Sequence, residues 1–463
     1  MSDRFDRLAE IGAVEKVPER FRDGAALWQV QPDFAYVLVL SIERATIVGQ
    51  VLDMAYLPVG AKAKREIDWL SDNGADHGAA ESGRLINTLL KVAKKAVANA
   101  EKAASERPDP IHRKSSPLPF RERILGTAVA LPTPVHRIRI RKGDQVRWEM
   151  RSASRWIMPE LRAVPEGANM YELLRAALEE AGLPAKRLSL INDASAAALG
   201  IVVDVRMDSV YRPPRDMVLL WLSQVVGGGI ISGHRLIMGS AGFAAEIGHL
   251  AVRPDGILCR HCGVRGCLET IASSGALERE LRSAFEGAGL GGSYDWPGRP
   301  PLIKLADGEV RPHPAYTEAM REAGWWTGIA LAQLVNILNP QLVILMDQHE
   351  ATKPIQEIDK PAPVRDEQFQ RSLEAALRRN SLDPAYQHIR NHEGPRDLYG
   401  LQFGAHSTEP HGVDVSPIRA SILPMIGAAA DLVDFFGDDF FQASIEEGHG
   451  VTPTAKTKAK AKT

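Results

Sequence analysis

The chain has 463 residues and only three cysteines, all within nine residues of one another. They lie in the stretch HLAVRPDGILCRHCGVRGCLE, which runs from His249 to Glu269. Thiolates and imidazoles are the ligands that surround Zn²⁺ tetrahedrally. The Cys259-x2-Cys262 spacing grips one ion from a tight turn. Gly263 and Gly266 then free the backbone to fold Cys267 inward as a third sulfur. His249, ten residues ahead of Cys259, completes a closed Cys₃His set, the kind that serves structure rather than catalysis. His261, between the first two cysteines, competes for the fourth place.

A second chemical pair is Asn192-Asp193 in INDASAAALG. The pair stands where a strand-like run gives way to a helix-like one. A carboxylate there can take the proton of a hydroxyl that attacks a phosphoryl group. The neighbouring amide can both donate to and accept from an adjacent hydroxyl. Asn-Asp ahead of a helix is more often an ordinary N-cap when these residues are read alone.

Positioning such groups requires a frame of alternating strands and helices, and the sequence supplies one. AYVLVLSI (Ala35 to Ile42) reads as a buried strand, and ATIVGQVLDMAYLPV as two more strands. Leu85, Leu89, Val92 and Ala96 share one face of a long helix whose other face is lysine-rich. RILGTAVALPTPV reads as a strand with a Pro-rich exit, and Gly167 to Leu183 as a helix ending at Gly182. MVLLWLSQVVGGGIISGHRLI reads as a hairpin with a glycine-rich bend. The helix TEAMREAGWWTGIALAQLVNILNP stops at Pro340 and precedes the strand QLVILM. The expectation is an α/β protein with mixed sheets, in two lobes flanking a cleft.

The totals exclude other classes. A net charge of −2 argues against a polyanion-binding surface over the whole molecule. Three clustered cysteines form no disulfide scaffold. The charged start is no signal peptide, and no run of about 18 uncharged apolar residues marks a membrane span, so a cytoplasmic protein is expected. The Lys-rich tail TPTAKTKAKAKT is expected to be disordered.

The stretch GFAAEIGHLAVRPDGILCRHCGVRGCLE resembles the signature of the ROK family (repressors, open reading frames, sugar kinases). That signature runs Gly-Glu-Ile-Gly-His, then Cys-x-Cys-Gly-x-x-Gly-Cys-x-Glu. Ala245 stands here for the glycine before Glu246, and one extra residue separates the first two cysteines. The resemblance extends from about Phe34 to Asp438. It implies a two-lobed fold of the actin/hexokinase (ribonuclease H-like) type, and a homodimer. The first lobe is expected at 34–190, completed by a helix near 418–438. The second is expected at 191–417, with the zinc loop 249–269 and an insertion near 350–398. Residues 439–463 form the tail.

The resemblance also implies roles. Asn192, Asp193, Glu246, His249 and Glu269 match the positions that hold a sugar, and Asp193 matches the general base of the kinases. His249, Cys259, Cys262 and Cys267 match the ligands of a structural zinc. Thr133 and the residues before Trp156 depart from the family's substrate loop.

The nucleotide side departs further. Family kinases hold ATP and Mg²⁺ on an Asp-x-Gly-Gly-Thr turn; here Ser41 replaces the aspartate, and Glu43 and Arg44 the glycines. Phosphates would meet side chains there, one of them negative. The second turn, Gly-Thr-Gly-x-Gly-x-Gly, reads SQVVGGG, with Val225 β-branched where positive φ is expected. Asp347 and Gln348 replace a third pair of glycines. ATP and Mg²⁺ are therefore not expected as cofactors, and a sugar-sensing regulator or pseudokinase is the leading reading. An ATP-dependent sugar kinase is the rival, and a purely structural subunit the third.

ROK repressors carry an N-terminal winged helix-turn-helix. Residues 1–33 supply only its end: a recognition-helix-like RFDRLAEIGAV and a two-stranded wing. DNA contact is thus expected only if an N-terminal extension or a partner supplies the missing helices.

Overall fold

The computed structural model describes residues 9, 13–22, 25–43, 46–66, 78–106, 118–142, 145–152, 170–207, 214–287, 302–304, 310–347, 367–382, 398–402 and 423–433. The lysine-rich tail, Arg44, Trp156 and Gln348 lie outside these residues, as do the side chains of Glu43 and Asp347; of the recognition-helix-like stretch at 4–14 only Ala9, Ala13 and Val14 are described, and Val14 belongs to a strand rather than a helix.

Strands β1 (Val14–Arg22) and β2 (Ala25–Val30) form an antiparallel hairpin. Five strands then build the first large sheet. β3 (Tyr36–Glu43), β4 (Thr46–Asp53) and β5 (Pro58–Glu66) run as an antiparallel meander. β6 (Ile124–Leu131) adds parallel to β3. A side hairpin, β7 (Val135–Lys142) with β8 (Gln145–Ser152), follows. β9 (Leu188–Asn192) then joins parallel to β6, giving the order β5-β4-β3-β6-β9. The helix Gly78–Glu106 covers one face; its Leu85, Leu89, Val92 and Ala96 are buried there, as their spacing predicts.

The second sheet repeats this plan. β10 (Met217–Leu222), β11 (Val226–Ser232) and β12 (Arg235–Leu236) form a meander. A small pair, β13 (Leu302–Lys304) and β14 (Val310–Pro312), lies outside it. β15 (Leu342–Asp347) is parallel to β10, and β16 (Leu398–Gln402) is antiparallel to β15. The order is β12-β11-β10-β15-β16. One expectation needs correcting. Gly227, Gly228 and Gly229 do not form the bend of the hairpin but lie inside β11, and the bend is Ser223–Val225.

Two helices lie between the sheets. Asp193–Met207 and residues 423–433 pack on Val37, Val39, Ala128 and Ile191 of the first sheet, and on Met217, Leu219, Trp221 and Ile344 of the second. They cross closely because both contact residues are glycines. A Cβ at Gly427 would lie 1.7 Å from the Ala196 carbonyl oxygen, and one at Gly200 would lie 2.2 Å from that of Leu423. Among the described residues, no helix is long and apolar enough to cross a membrane.

Candidate functional site

β11 is the spine of the site, and its glycines are needed for packing on both of its faces. A Cβ at Gly227 would sit 2.9 Å from Ala194 Cβ, and one at Gly229 would sit 2.4 Å from Ala198 Cβ. The helix that begins at Asp193 therefore rests directly on the strand. On the opposite face a Cβ at Gly228 would be 2.5 Å from Ile247 Cδ1 and 2.6 Å from the Ala245 carbonyl oxygen. A Cβ at Gly248 would be 2.2 Å from the Val226 carbonyl oxygen. Three consecutive glycines thus let one strand carry the Asn192-Asp193 corner on one side and the Glu246–His249 turn on the other.

Asn192 ends β9, and Asp193 opens the following helix. Asn192 Oδ1 accepts from the Ser195 N–H at 2.9 Å, a capping bond, while its Nδ2 donates to Asp193 Oδ1 at 3.3 Å. Asp193 Oδ1 also accepts from the Ala194 N–H at 2.7 Å. The pair caps the helix at the end of a parallel strand, the N-cap role that its sequence allows.

Glu246 caps the short 3₁₀ turn Ile247–His249. Burial, reinforced by the Glu269 charge, pushes its carboxyl up to about 7. Ala245, just before it, has φ +66° although it is not glycine, and its carbonyl accepts from the Ile247 N–H at 2.7 Å. The turn keeps the left-handed backbone that a glycine would adopt without strain. Ala245→Gly is therefore expected to stabilise the protein by about 0.5–1 kcal/mol. Urea denaturation measures this, and a lower midpoint would contradict it.

Glu269 opens the short helix Glu269–Ala272 and is 8 % exposed. Its Oε2 accepts from the Val226 N–H at 3.3 Å, which ties it to the spine. Its Oε1 lies 2.5 Å from His261 Nδ1. That hydrogen bond raises the His261 imidazole above its usual value, whereas burial lowers His249. Sequence reasoning noted His261 only as a competing metal ligand and missed the Val226 N–H altogether. A backbone donor leaves no residue-type signal, and the reach of His261 depends on the shape of the cysteine turn.

The metal candidates converge. The ligand atoms of His249, Cys259, Cys262 and Cys267 all lie within 4.8 Å of one another. His249 Nδ1 is 3.7 Å from Cys259 Sγ, and Cys262 Sγ is 3.3 Å from Cys267 Sγ. Three thiols and one imidazole in so small a volume form a donor set that fits a tetrahedral Zn²⁺. Burial pushes the Cys259 and Cys267 thiols up, and a divalent cation among them would reverse that preference. Cys259, His261 and Glu269 form a second, overlapping trio within the same limit. The loop closes through Gly266, whose φ is +69° and whose Cβ would fall 1.6 Å from the Arg253 carbonyl oxygen.

In the first sheet, β3 and β4 stay paired as far as Glu43↔Thr46. Ser41 is 2 % exposed within that sheet. In the Ser223–Val225 bend, the Ser223 N–H and Oγ both donate to the Val225 carbonyl, at 3.0 and 3.1 Å. Val225 is not in the positive-φ region, so the expected backbone conflict does not arise. The bend simply has a different shape, with one N–H satisfied internally. Thr133 is fully buried.

A family model described as "ROK family" matches residues 171–385. Over 100 residues the chain is 40 % identical to an N-acetylmannosamine kinase of Vibrio cholerae, 22 % of this chain and 33 % of that protein. Over 135 residues it is 32 % identical to the DNA-binding transcriptional dual regulator NagC of Escherichia coli, 28 % of this chain and 31 % of that protein. The chain thus spans about a third of the length of these curated relatives. A crystal structure of a ROK family transcriptional regulator, a homologue of the E. coli MLC protein, superimposes with TM-score 0.52. It covers 94 % of this chain and 90 % of that one at 18 % identity. That likeness shows the fold: the two mixed sheets are those of the two-lobed, actin/hexokinase-like architecture.

Proposed function

Since the chain carries a ROK-family segment at residues 171–385, we propose that it is a sugar-sensing regulator or pseudokinase that binds a hexose or N-acetylhexosamine without phosphorylating it. Asn192, Asp193, Glu246, His249 and Glu269 hold the sugar hydroxyls around the β11 spine. Uncharged polyols suit such a set, because carboxylates, amide and imidazole each pair with hydroxyl donors or acceptors. His249, Cys259, Cys262 and Cys267 hold a structural zinc that fixes the loop carrying Glu269. Sugar bound between the lobes favours one relative arrangement of them, which a partner or an attached DNA-binding unit reads. The protein acts in the cytoplasm as a homodimer, away from membranes.

The observation that carries this reading is Ser41. It is a buried neutral hydroxyl at the place where the resemblance puts the carboxylate beside Mg²⁺. Gly227 and Gly229 support it too, since both are committed to packing against the Asp193 helix. The rival, a sugar kinase with Asp193 as general base, is favoured by one observation: the 40 % identity to a kinase over the matched stretch.

Thermal unfolding with glucose, N-acetylglucosamine and N-acetylmannosamine, each with and without MgATP, separates the readings. A regulator is expected to gain several degrees in Tm from one of the sugars and none from nucleotide. Sugar-dependent ADP release that disappears in Asp193→Asn would establish the kinase instead. No response to any sugar would leave a structural subunit.

A further inference from the structure

We propose that His261 is a positioning residue for the ligand pocket, holding the Glu269 carboxylate in the one orientation that receives a sugar. The inference rests on the sugar-binding reading of Glu269. His261 belongs to the part of the loop lengthened by one residue relative to the Cys-x-Cys pattern, so it is a feature of this chain rather than of the signature.

The turn that carries it is closed by two backbone bonds, Gly263 N–H to Cys259 O at 3.0 Å and Cys259 N–H to Val264 O at 2.8 Å. From that turn His261 Nδ1–H donates to Glu269 Oε1 at 2.5 Å, while Val226 N–H donates to Oε2 at 3.3 Å. The Glu269 side chain is 10 % exposed, and that of His261 is 30 %. A carboxylate offers about four acceptor positions. Two are taken here, one on each oxygen, which stops the group rotating and leaves two for hydroxyl donors. Without His261 the carboxylate would keep a single anchor beside Glu246, whose charge opposes it. It would then reorient before binding, and binding would weaken.

A Cys₃His set is complete without His261. The ring of His249 presents Nδ1 to Cys259 Sγ, whereas His261 Nδ1 is committed to Glu269. The two imidazoles stand edge to face with centroids 6.3 Å apart. His261 therefore links the cysteine turn to the pocket without joining the Cys₃His set.

Calorimetric titration of the zinc-loaded full chain with glucose, N-acetylglucosamine and N-acetylmannosamine tests this, using His261→Ala and His261→Asn. Asparagine places an N–H donor close to the position of Nδ1. The alanine variant is expected to bind the preferred sugar at least about tenfold more weakly, the scale of one charge-assisted hydrogen bond. Asparagine is expected to restore affinity to within about threefold, with one zinc per chain in both variants. A purely structural role would not separate the two variants in this way. Unchanged affinity in His261→Ala would overturn the inference alone, as would loss of its zinc, which would make His261 a ligand. Failure of the wild-type protein to bind any of the sugars would instead remove the sugar-binding reading, and this inference with it. If His261→Ala does not fold, His261→Asn decides: near-native affinity supports positioning, and a loss beyond about tenfold overturns it.

Discussion

Replacing Cys267 with serine, or stripping the chain with a chelator, is expected to cost more than about 4 kcal/mol of stability and to abolish sugar binding. Between Ala251 and Cys267 the loop has little regular structure; its named pairings are the isolated bridges Ala251↔Cys267 and Leu258↔Arg265. Its tip is apolar but exposed, with Ile257, Leu258 and Val264 facing solvent. Such a loop buries too little apolar surface to offset the entropy of ordering it. A metal held by four side chains would supply the difference, because its binding free energy is available only to the folded loop. Glu269 follows Cys267 by two residues, so loosening the sulfur releases the carboxylate as well. Zinc content by atomic emission, the unfolding midpoint and calorimetric sugar binding should all fall together. A metal-free protein with an unchanged midpoint would rule out the structural role.

Arg137→Ala is expected to destabilise the protein by about 3–5 kcal/mol, although it lies outside the proposed pocket. Its guanidinium clamps Asp431 bidentately, at 2.9 and 2.6 Å, and also donates to the Leu190 carbonyl at 2.7 Å and Ser189 Oγ at 3.3 Å. Ser189 Oγ in turn bonds Asp431. The Arg137 and Asp431 side chains are 13 % and 10 % exposed, so truncating the arginine leaves a buried carboxylate with one hydroxyl partner. The cluster joins β7, β9 and the helix at 423–433, and β9 ends at Asn192. Loss of the pair should therefore weaken sugar binding along with stability. Urea denaturation measures the cost, and Arg137→Met combined with Asp431→Leu should recover most of it. A single-variant cost below about 1 kcal/mol would show that the pair is not a structural pin.

Local chemistry was legible where the residue types themselves carry it. The Cys259-x2-Cys262 pair with Cys267 and His249 announced a cluster, and the fold brings those four ligand atoms within 4.8 Å of one another. Continuous apolar runs placed the strands around Val39, Val129 and Leu219, which are buried on both faces, and a period-3.6 pattern placed the helix carrying Leu89, which buries one face. The glycine run at 227–229 lies inside β11 rather than in a bend. Glycine signals turns only on average, and these glycines serve close packing of Ala194, Ala198 and Ile247 onto a strand. The strain at Ala245 was likewise hidden, since nothing in an alanine announces a positive φ.

By itself, then, the sequence determined the order of the central strands and helices, the mixed α/β class, the metal-type cluster and the ROK resemblance. These follow from residue type and short-range spacing, which act through the nearest few residues. Tertiary structure alone decided that one strand would carry the Asn192-Asp193 corner and the Glu246 turn on opposite faces. It also decided that His261 would reach Glu269, and that Arg137 would find Asp431 across 294 residues of chain. Those pairings depend on how sheets and helices pack after the chain has closed long loops, and no local pattern encodes the partner at the far end of such a loop.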